Sequence, residues 1–220
     1  MPGRRDVLKG LGAGVGLAGA SIAGLIYRAD GMTQPLRYGP GDPGPDVGSA
    51  LEPTLQCEAG RLTTAQTEGP FYTPKTPDRR DIRDALHGGV TLVVAGRVLD
   101  TRCRPVPGAV LDFWQTDHTG RYDNHGYRYR GHQRTDADGR FELVTVRPVK
   151  YQAIGAWRTP HIHVKAQGAS TRMLTTQLYL PNEQESNSRD LIFHESLLVT
   201  MLEGDGSAQR ARFDFVLADA

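Results

Sequence analysis

Along most of the chain, apolar positions fall into short runs that alternate with polar ones at a period of two, and Gly, Pro, Asn and Asp separate the runs. Thr91–Leu99, Ala109–Trp114, Arg140–Val146, His161–Lys165, Met173–Leu180 and Arg212–Leu217 are rich in β-branched or aromatic residues. Such runs read as strands, because successive strand side chains point to opposite faces. Asp136–Gly139, directly before Arg140, is a tight-turn signal, and Arg104–Gly108 breaks the chain before another strand. No segment of this body sustains a 3.6-residue apolar period, although Arg79–Leu86 and Arg189–Leu198 have the length of short helical turns. The pattern predicts an all-β fold. It is a single antiparallel β-sandwich with long loops over residues 61–220, rather than strands alternating with helices.

Upstream the pattern changes. Residues 31–60 contain Pro35, Gly39, Pro40, Gly41, Pro43, Gly44, Pro45, Gly48 and Pro53 without any period, so they predict a flexible linker. Residues 1–30 begin with the basic Arg4, Arg5 and Lys9, followed by a weakly apolar Gly/Ala-rich run from Gly10 to about Ile26, the layout of an export signal. Two arginines, a variable residue, two apolar residues and a lysine at Arg4–Lys9 resemble the twin-arginine signal. That resemblance implies carriage of the folded protein by the twin-arginine translocation machinery to the periplasm, cell surface or medium. An uncleaved segment would instead leave it tethered to the membrane. A spanning anchor is less well matched, because the run falls short of the roughly 20 strongly apolar residues that a bilayer requires.

Composition adds two restrictions. The net charge is +1, from 26 basic and 25 acidic side chains, so no nucleic-acid partner is expected. The two cysteines, Cys57 and Cys103, are too few for a disulfide framework or a thiolate cluster. In an oxidising compartment they have the option of one bridge, whose Cα separation the sequence leaves open.

The candidate chemistry begins at His161 and His163. On a strand these two side chains share a face about 7 Å apart along the chain, with Ile162 packing behind them. The spacing alone fits a metal pair, a zinc site or an ordinary surface pair equally well. Tyr151 lies upstream of the pair, and Tyr122 follows the predicted strand through Gln115. Taken singly, each tyrosine is most simply a packing residue. The surrounding motifs decide the matter. Gln66–Tyr72, Pro107–Val110, Phe113–Gln115, Gly120–Tyr122, Thr135–Phe141, Val146–Tyr151, Trp157–His163 and Thr176–Tyr179 stand in the order and spacing of one family. Over residues 63–200 the chain resembles the intradiol ring-cleavage dioxygenases, especially the protocatechuate 3,4-dioxygenase branch.

The resemblance implies a β-sandwich that holds one non-haem, mononuclear Fe(3+) and cleaves a small aromatic diol with O2 to a muconate-type diacid. It makes Tyr122 and His161 the equatorial ligands and Tyr151 and His163 the axial ones. Tyr151 would also serve as a base for a substrate proton, Arg158 would stabilise charge on the ring, and Gln177 would hydrogen-bond within the site. Gly69 and Pro70 would line the pocket. The donor set is chemically consistent, since phenolates are hard anionic ligands that favour the higher oxidation state, and a phenol of ordinary pKa near 10 needs a strong Lewis acid to lose its proton.

Tyr72 is expected to be structural. His118, His125, His132 and His194 are expected in loops or on the surface, with the stretch from His125 to His132 beside the pocket mouth. The connection from Tyr151 to His161 is shorter than in the larger protocatechuate enzymes, which reshapes the substrate entrance. Residues 1–60 lack the helical dimer module of the catechol branch, no carbohydrate-binding domain is expected after the sandwich, and a homo-oligomer is left open. Two other readings compete with the main one: a non-catalytic β-sandwich binding module, and a zinc hydrolase built on His161 and His163.

Overall fold

Thr91–Asp100 (β1) is the longest strand of a computed structural model that describes residues 57–85, 88–153, 155–203, 206 and 208–220. The export signal of residues 1–30 and the linker up to residue 56 lie outside the described residues. The other strands are Val110–Trp114 (β2), Arg130–Arg134 (β3), Arg140–Val146 (β4), Tyr151–Ala153 (β5), Ala156–Arg158 (β6), His161–Gln167 (β7), Leu174–Tyr179 (β8), Thr200–Leu202 (β9), Gln209–Arg212 (β10) and Phe215–Leu217 (β11). One short helix, Gln184–Arg189 (α1), and a 3-10 turn, Glu195–Leu197, follow β8.

The strands form two main sheets and a separate hairpin. The four-stranded sheet runs β3-β2-β7-β8 and is antiparallel throughout. The five-stranded sheet is centred on β1, which pairs antiparallel with β4 but parallel with β10 and β11. The parallel pairs qualify the antiparallel expectation. The chain crosses β7, β8 and α1 before β10 returns, so no tight turn dictates its direction. β5 and β6 pair only with each other.

Both main sheets feed one core. Leu92, Val94 and Val98 of β1 join Leu111 and Phe113 of β2, Phe141 and Leu143 of β4, and Ile162 and Val164 of β7. Each such buried side chain contributes about 1.5–3 kcal/mol through water exclusion. On β7 the core takes Ile162, Val164 and Ala166. The period of two therefore turns His161 and His163 to the opposite face of the sheet.

Some local expectations change. Residues 79–82 are not helical, because their backbone N–H groups find strand partners: Arg79 donates to His132 O at 2.8 Å and Ile82 to Val144 O at 3.0 Å. Within Arg189–Leu198, only the end of α1 and the 3-10 turn are helical. Strand β3 escapes the hydrophobic pattern altogether, since Arg130–Arg134 contains no apolar side chain. Cys57 and Cys103 are joined in a disulfide with Cα atoms 5.8 Å apart.

β10 and β11 run along β1 with a break at Phe213 and Asp214, where Asp214 Oδ1 accepts from Arg97 N at 2.8 Å. The Phe213 carbonyl comes so close to Gly96 that a Cβ there would stand 1.7 Å from its oxygen. Because that obstacle is backbone, it cannot swing away. Gly96→Ala is expected to cost about 3 kcal/mol, the upper range for overpacking. Urea unfolding checks this, and an unchanged midpoint would show that the crossing yields easily.

Candidate active site

The site is built on the outer face of the four-stranded sheet. Register places Trp114 and Gln177 on either side of His163, and Tyr179 beside His161. The Trp114 and His163 rings stack with centroids 4.7 Å apart and 6° between planes. Both histidines are buried, at 2% and 1% exposure.

His161 Nδ1 lies 2.6 Å from the Thr159 carbonyl oxygen. A carbonyl only accepts, so Nδ1 carries the hydrogen and Nε2 presents its lone pair to the site. His161 Nε2 and His163 Nε2 are 3.1 Å apart. His163 Nδ1 is buried without a hydrogen-bond partner, so the Trp114 stack is what orients this ring.

Tyr151 starts β5, and the short connection noted in the sequence proves to be the β5–β6 hairpin. Its register sets Tyr151 directly opposite Arg158. Tyr122 stands in the loop after β2, between two aspartates that fix the backbone. Asp117 Oδ1 accepts from Thr119 N and Arg121 N, and Asp123 accepts from His125 N, Gly126 N and Arg128 N. The Tyr122 ring stacks on Phe71 at 4.4 Å, and its hydroxyl lies 3.5 Å from that of Tyr151. The Tyr122 and His163 ring centroids are 6.3 Å apart, and those of Tyr151 and His161 are 5.6 Å apart. The structure thus gathers all four proposed donors into one place.

Burial sets their protonation. It drives the His161 imidazole down to about 3, helped by the nearby Arg158 charge. It lowers His163 well below its ordinary value, with His161 and Arg158 adding to the effect. It also raises both phenols, Tyr122 well above 10 and Tyr151 less so, because Arg158 and the contact with Tyr122 oppose the shift at Tyr151. At neutral pH the four are therefore two neutral imidazoles and two phenols, a donor set that lacks a positive centre. Two nitrogens each roughly 2.1 Å from one ion and at right angles stand about 3.0 Å apart, close to the separation seen here. The residues fit a hard cation of high charge, which would displace both phenol protons. Among the described residues no group of three His, Cys, Asp or Glu side chains could hold a metal, so only the tyrosines complete this set. That works against a zinc site of the usual ligand type.

Arg158 is held from two sides. Its Nε donates to Asp190 Oδ2 at 2.9 Å and its Nη2 to Gln177 Oε1 at 2.6 Å. Gln177 is fully buried, and its Nε2 donates to Thr67 O at 3.1 Å. Gly69 packs on His163, with a Cβ position 3.6 Å from Cε1, while Pro70 beside it is exposed. Tyr72 donates to Asp112 Oδ2 at 3.0 Å, a structural contact as expected. His118, His125 and His194 are exposed. His132 corrects the expectation of a loop at the pocket mouth. It lies in β3, half-buried, with Nδ1 2.8 Å from Thr76 O.

Sequence reasoning missed Asp190, Phe71 and Arg130. The Arg130 side chain is completely buried, donating to Phe71 O at 2.6 Å and Asp123 O at 3.0 Å, with its guanidinium 5.9 Å from the Tyr122 ring centre. No signal in the sequence marked it, since the strand that carries it has no apolar side chain.

A family model described as "Dioxygenase" matches residues 67–219. The chain is 29% identical over 188 residues to a chlorocatechol 1,2-dioxygenase of Rhodococcus opacus, covering 72% of this chain and 73% of that one. It is 35% identical over 147 residues to the protocatechuate 3,4-dioxygenase beta chain of Burkholderia cepacia, covering 60% of this chain and 62% of that one, less than two thirds. Among solved structures it resembles the dioxygenase domain of a dioxygenase carbohydrate-binding protein fusion from the cellulolytic bacterium Streptomyces sp. SirexAA-E. The TM-score there is 0.66 at 43% identity, over 73% of this chain and 100% of that one.

Proposed function

The chain belongs to the intradiol ring-cleavage dioxygenase family, and from that membership we propose that it opens a catechol-type ring with O2 between the two hydroxyl-bearing carbons. Both oxygen atoms end in the product, a muconate-type diacid. The observation that carries this reading is the convergence of two buried imidazoles and two phenols beside a fixed guanidinium. Tyr122, Tyr151, His161 and His163 would hold Fe(III). Bound there, the ion supplies the Lewis acidity that keeps phenols and diol deprotonated, and the redox chemistry that lets O2 react with a ring.

The chain's own residues do the rest. Tyr151, opposite Arg158 in the hairpin, would as a phenolate take a substrate hydroxyl proton. Arg158, fixed by Asp190 and Gln177, offers a preorganised positive charge to the ring oxygen as negative charge builds there. Gln177 keeps one guanidinium nitrogen aimed while Thr67 O keeps Gln177 aimed. Gly69 takes a φ of +70° that a side chain would strain, and it stands against His163 as a wall of the proposed substrate pocket.

Export through the twin-arginine route is part of the same proposal. The Arg4–Lys9 motif supports it, and so does the Cys57–Cys103 bridge, since such bridges belong to oxidising compartments.

The test is O2 uptake by protein purified after iron-rich growth, with catechol, protocatechuate and hydroxyquinol, alongside metal analysis. A red-brown protein with one iron per chain and equal consumption of O2 and one of these diols is expected. A colourless, iron-free protein that consumes no O2 with any of them would leave the fold without the activity.

A further inference from the structure

Asp190 ends α1 as its C-terminal cap, and its side chain is 1% exposed. Both of its oxygens are used. Oδ2 accepts from Arg158 Nε at 2.9 Å and from Thr159 N at 3.0 Å, and Oδ1 accepts from Ile192 N at 3.1 Å. Thr159 is also the residue whose carbonyl holds His161 Nδ1 at 2.6 Å, and its hydroxyl donates to Asn187 Oδ1 at 2.6 Å. One carboxylate thus ties together the hairpin that carries Tyr151 and Arg158, the entry to β7 that carries His161, and the loop after α1.

The hairpin is tied to the rest by side chains and not by strand pairing. Its strands pair only with one another, and Trp157 on β6 is 60% exposed. An arginine side chain has several rotatable bonds, and its neutral partners Gln177, Tyr151 and Tyr179 alone would leave the guanidinium freedom to pivot. The contact to Asp190, at Nε, removes that freedom, and hydrogen bonds between two ionised groups are the stronger kind.

We infer that Asp190 is a positioning residue for ring cleavage, holding the Arg158 guanidinium in its working orientation. This rests on the proposed function for its kinetic part, but its structural part stands independently.

Asp190→Asn keeps the shape and removes the charge, and Asp190→Ala removes both. Crystal structures of the variant proteins read the Arg158 position directly, and iron content, thermal melting and the split between kcat and KM are measured beside it. In Asp190→Ala the Arg158–Gln177 contact is expected to be lost, with kcat about a hundredfold lower, the scale on which misplacement by an ångström acts. KM and iron per chain should stay within about twofold, and Asp190→Asn should fall between this variant and the parent. If Asp190→Ala does not fold, Asp190→Asn decides by the same readouts. An Arg158 guanidinium that stays in place overturns the inference, as does a kcat that falls only in proportion to iron content. Should the unaltered protein cleave no diol at all, the proposed function fails, while the position of Arg158 in the variants still decides this point.

Discussion

Tyr122→Phe is expected to leave a folded protein that binds little or no iron and loses at least about a hundredfold in O2 uptake. Changes one shell further out already cost ten- to a hundredfold in metal affinity or activity. The substitution is a clean one because nearly everything that places Tyr122 survives it. The ring keeps its stack on Phe71 at 4.4 Å and the Arg130 guanidinium at 5.9 Å. Asp117 and Asp123 keep the loop on either side. Only the hydroxyl is lost, and it sits in surroundings dry enough to push its pKa well above 10. Removing a buried hydroxyl without a strong partner should not lower stability, so melting temperature is expected to hold or rise slightly. His161→Ala tests the same site less cleanly, since it also strands the Thr159 carbonyl and opens a cavity. Metal analysis, the visible spectrum and a melting curve on one preparation of Tyr122→Phe separate donor loss from unfolding. Full iron and full activity would remove Tyr122 from the ligand set.

How much of this was legible in the sequence differs by residue. That His161 and His163 share a face was readable from geometry alone, because alternation on a strand that buries Ile162 and Val164 must turn both to the other side, but that spacing fits an ordinary surface pair as well as a metal pair. Tyr122 was not readable in this way, since it stands in a loop whose shape depends on aspartate side chains capturing backbone N–H groups, and no periodicity marks that. The role proposed for it came only through the family resemblance. Arg130 was hidden for a different reason. A buried guanidinium in a polar strand looks like a solvated face until its Nε and Nη1 are seen to donate to Asp123 O and Phe71 O. Asp190 sat in a segment with the length of a helical turn, and its three backbone and side-chain donors come from Arg158, Thr159 and Ile192. The parallel pairing of β1 with β10 and β11 was equally out of reach, because a strand's alternation records which face is buried and not which neighbour it meets or in what direction.

The iron-free protein should lose stability steeply as pH falls from 7 to 5. His161 is held down to about 3 in the folded state, against an ordinary value of 6.5 in the unfolded chain. Between those values the unfolded chain binds the proton and the folded protein does not, so stability rises with pH and drains away on acidification. At pH 5 the gap below 6.5 is about 1.5 units, or about 2 kcal/mol from His161 alone at 1.36 kcal/mol per unit. By pH 3.5 the same residue costs about 4 kcal/mol. His163 is shifted the same way and adds to the loss. The carboxylates held below their ordinary range do not blur the window above pH 5. Asp123, held at about 2, loses its contribution only at lower pH. Asp112 and Glu142 are raised by burial and work in the opposite sense, gaining favour as they protonate. Iron held as proposed would compete with protons for the two imidazoles, so the loaded protein should hold its stability to lower pH than the iron-free one. Urea unfolding of both forms at pH 7, 6 and 5 measures the slopes. Equal stability of the iron-free form at pH 7 and pH 5 would mean that the two histidines take up protons in place, and the dry, uncharged pair on which the ligand assignment depends would have to be abandoned.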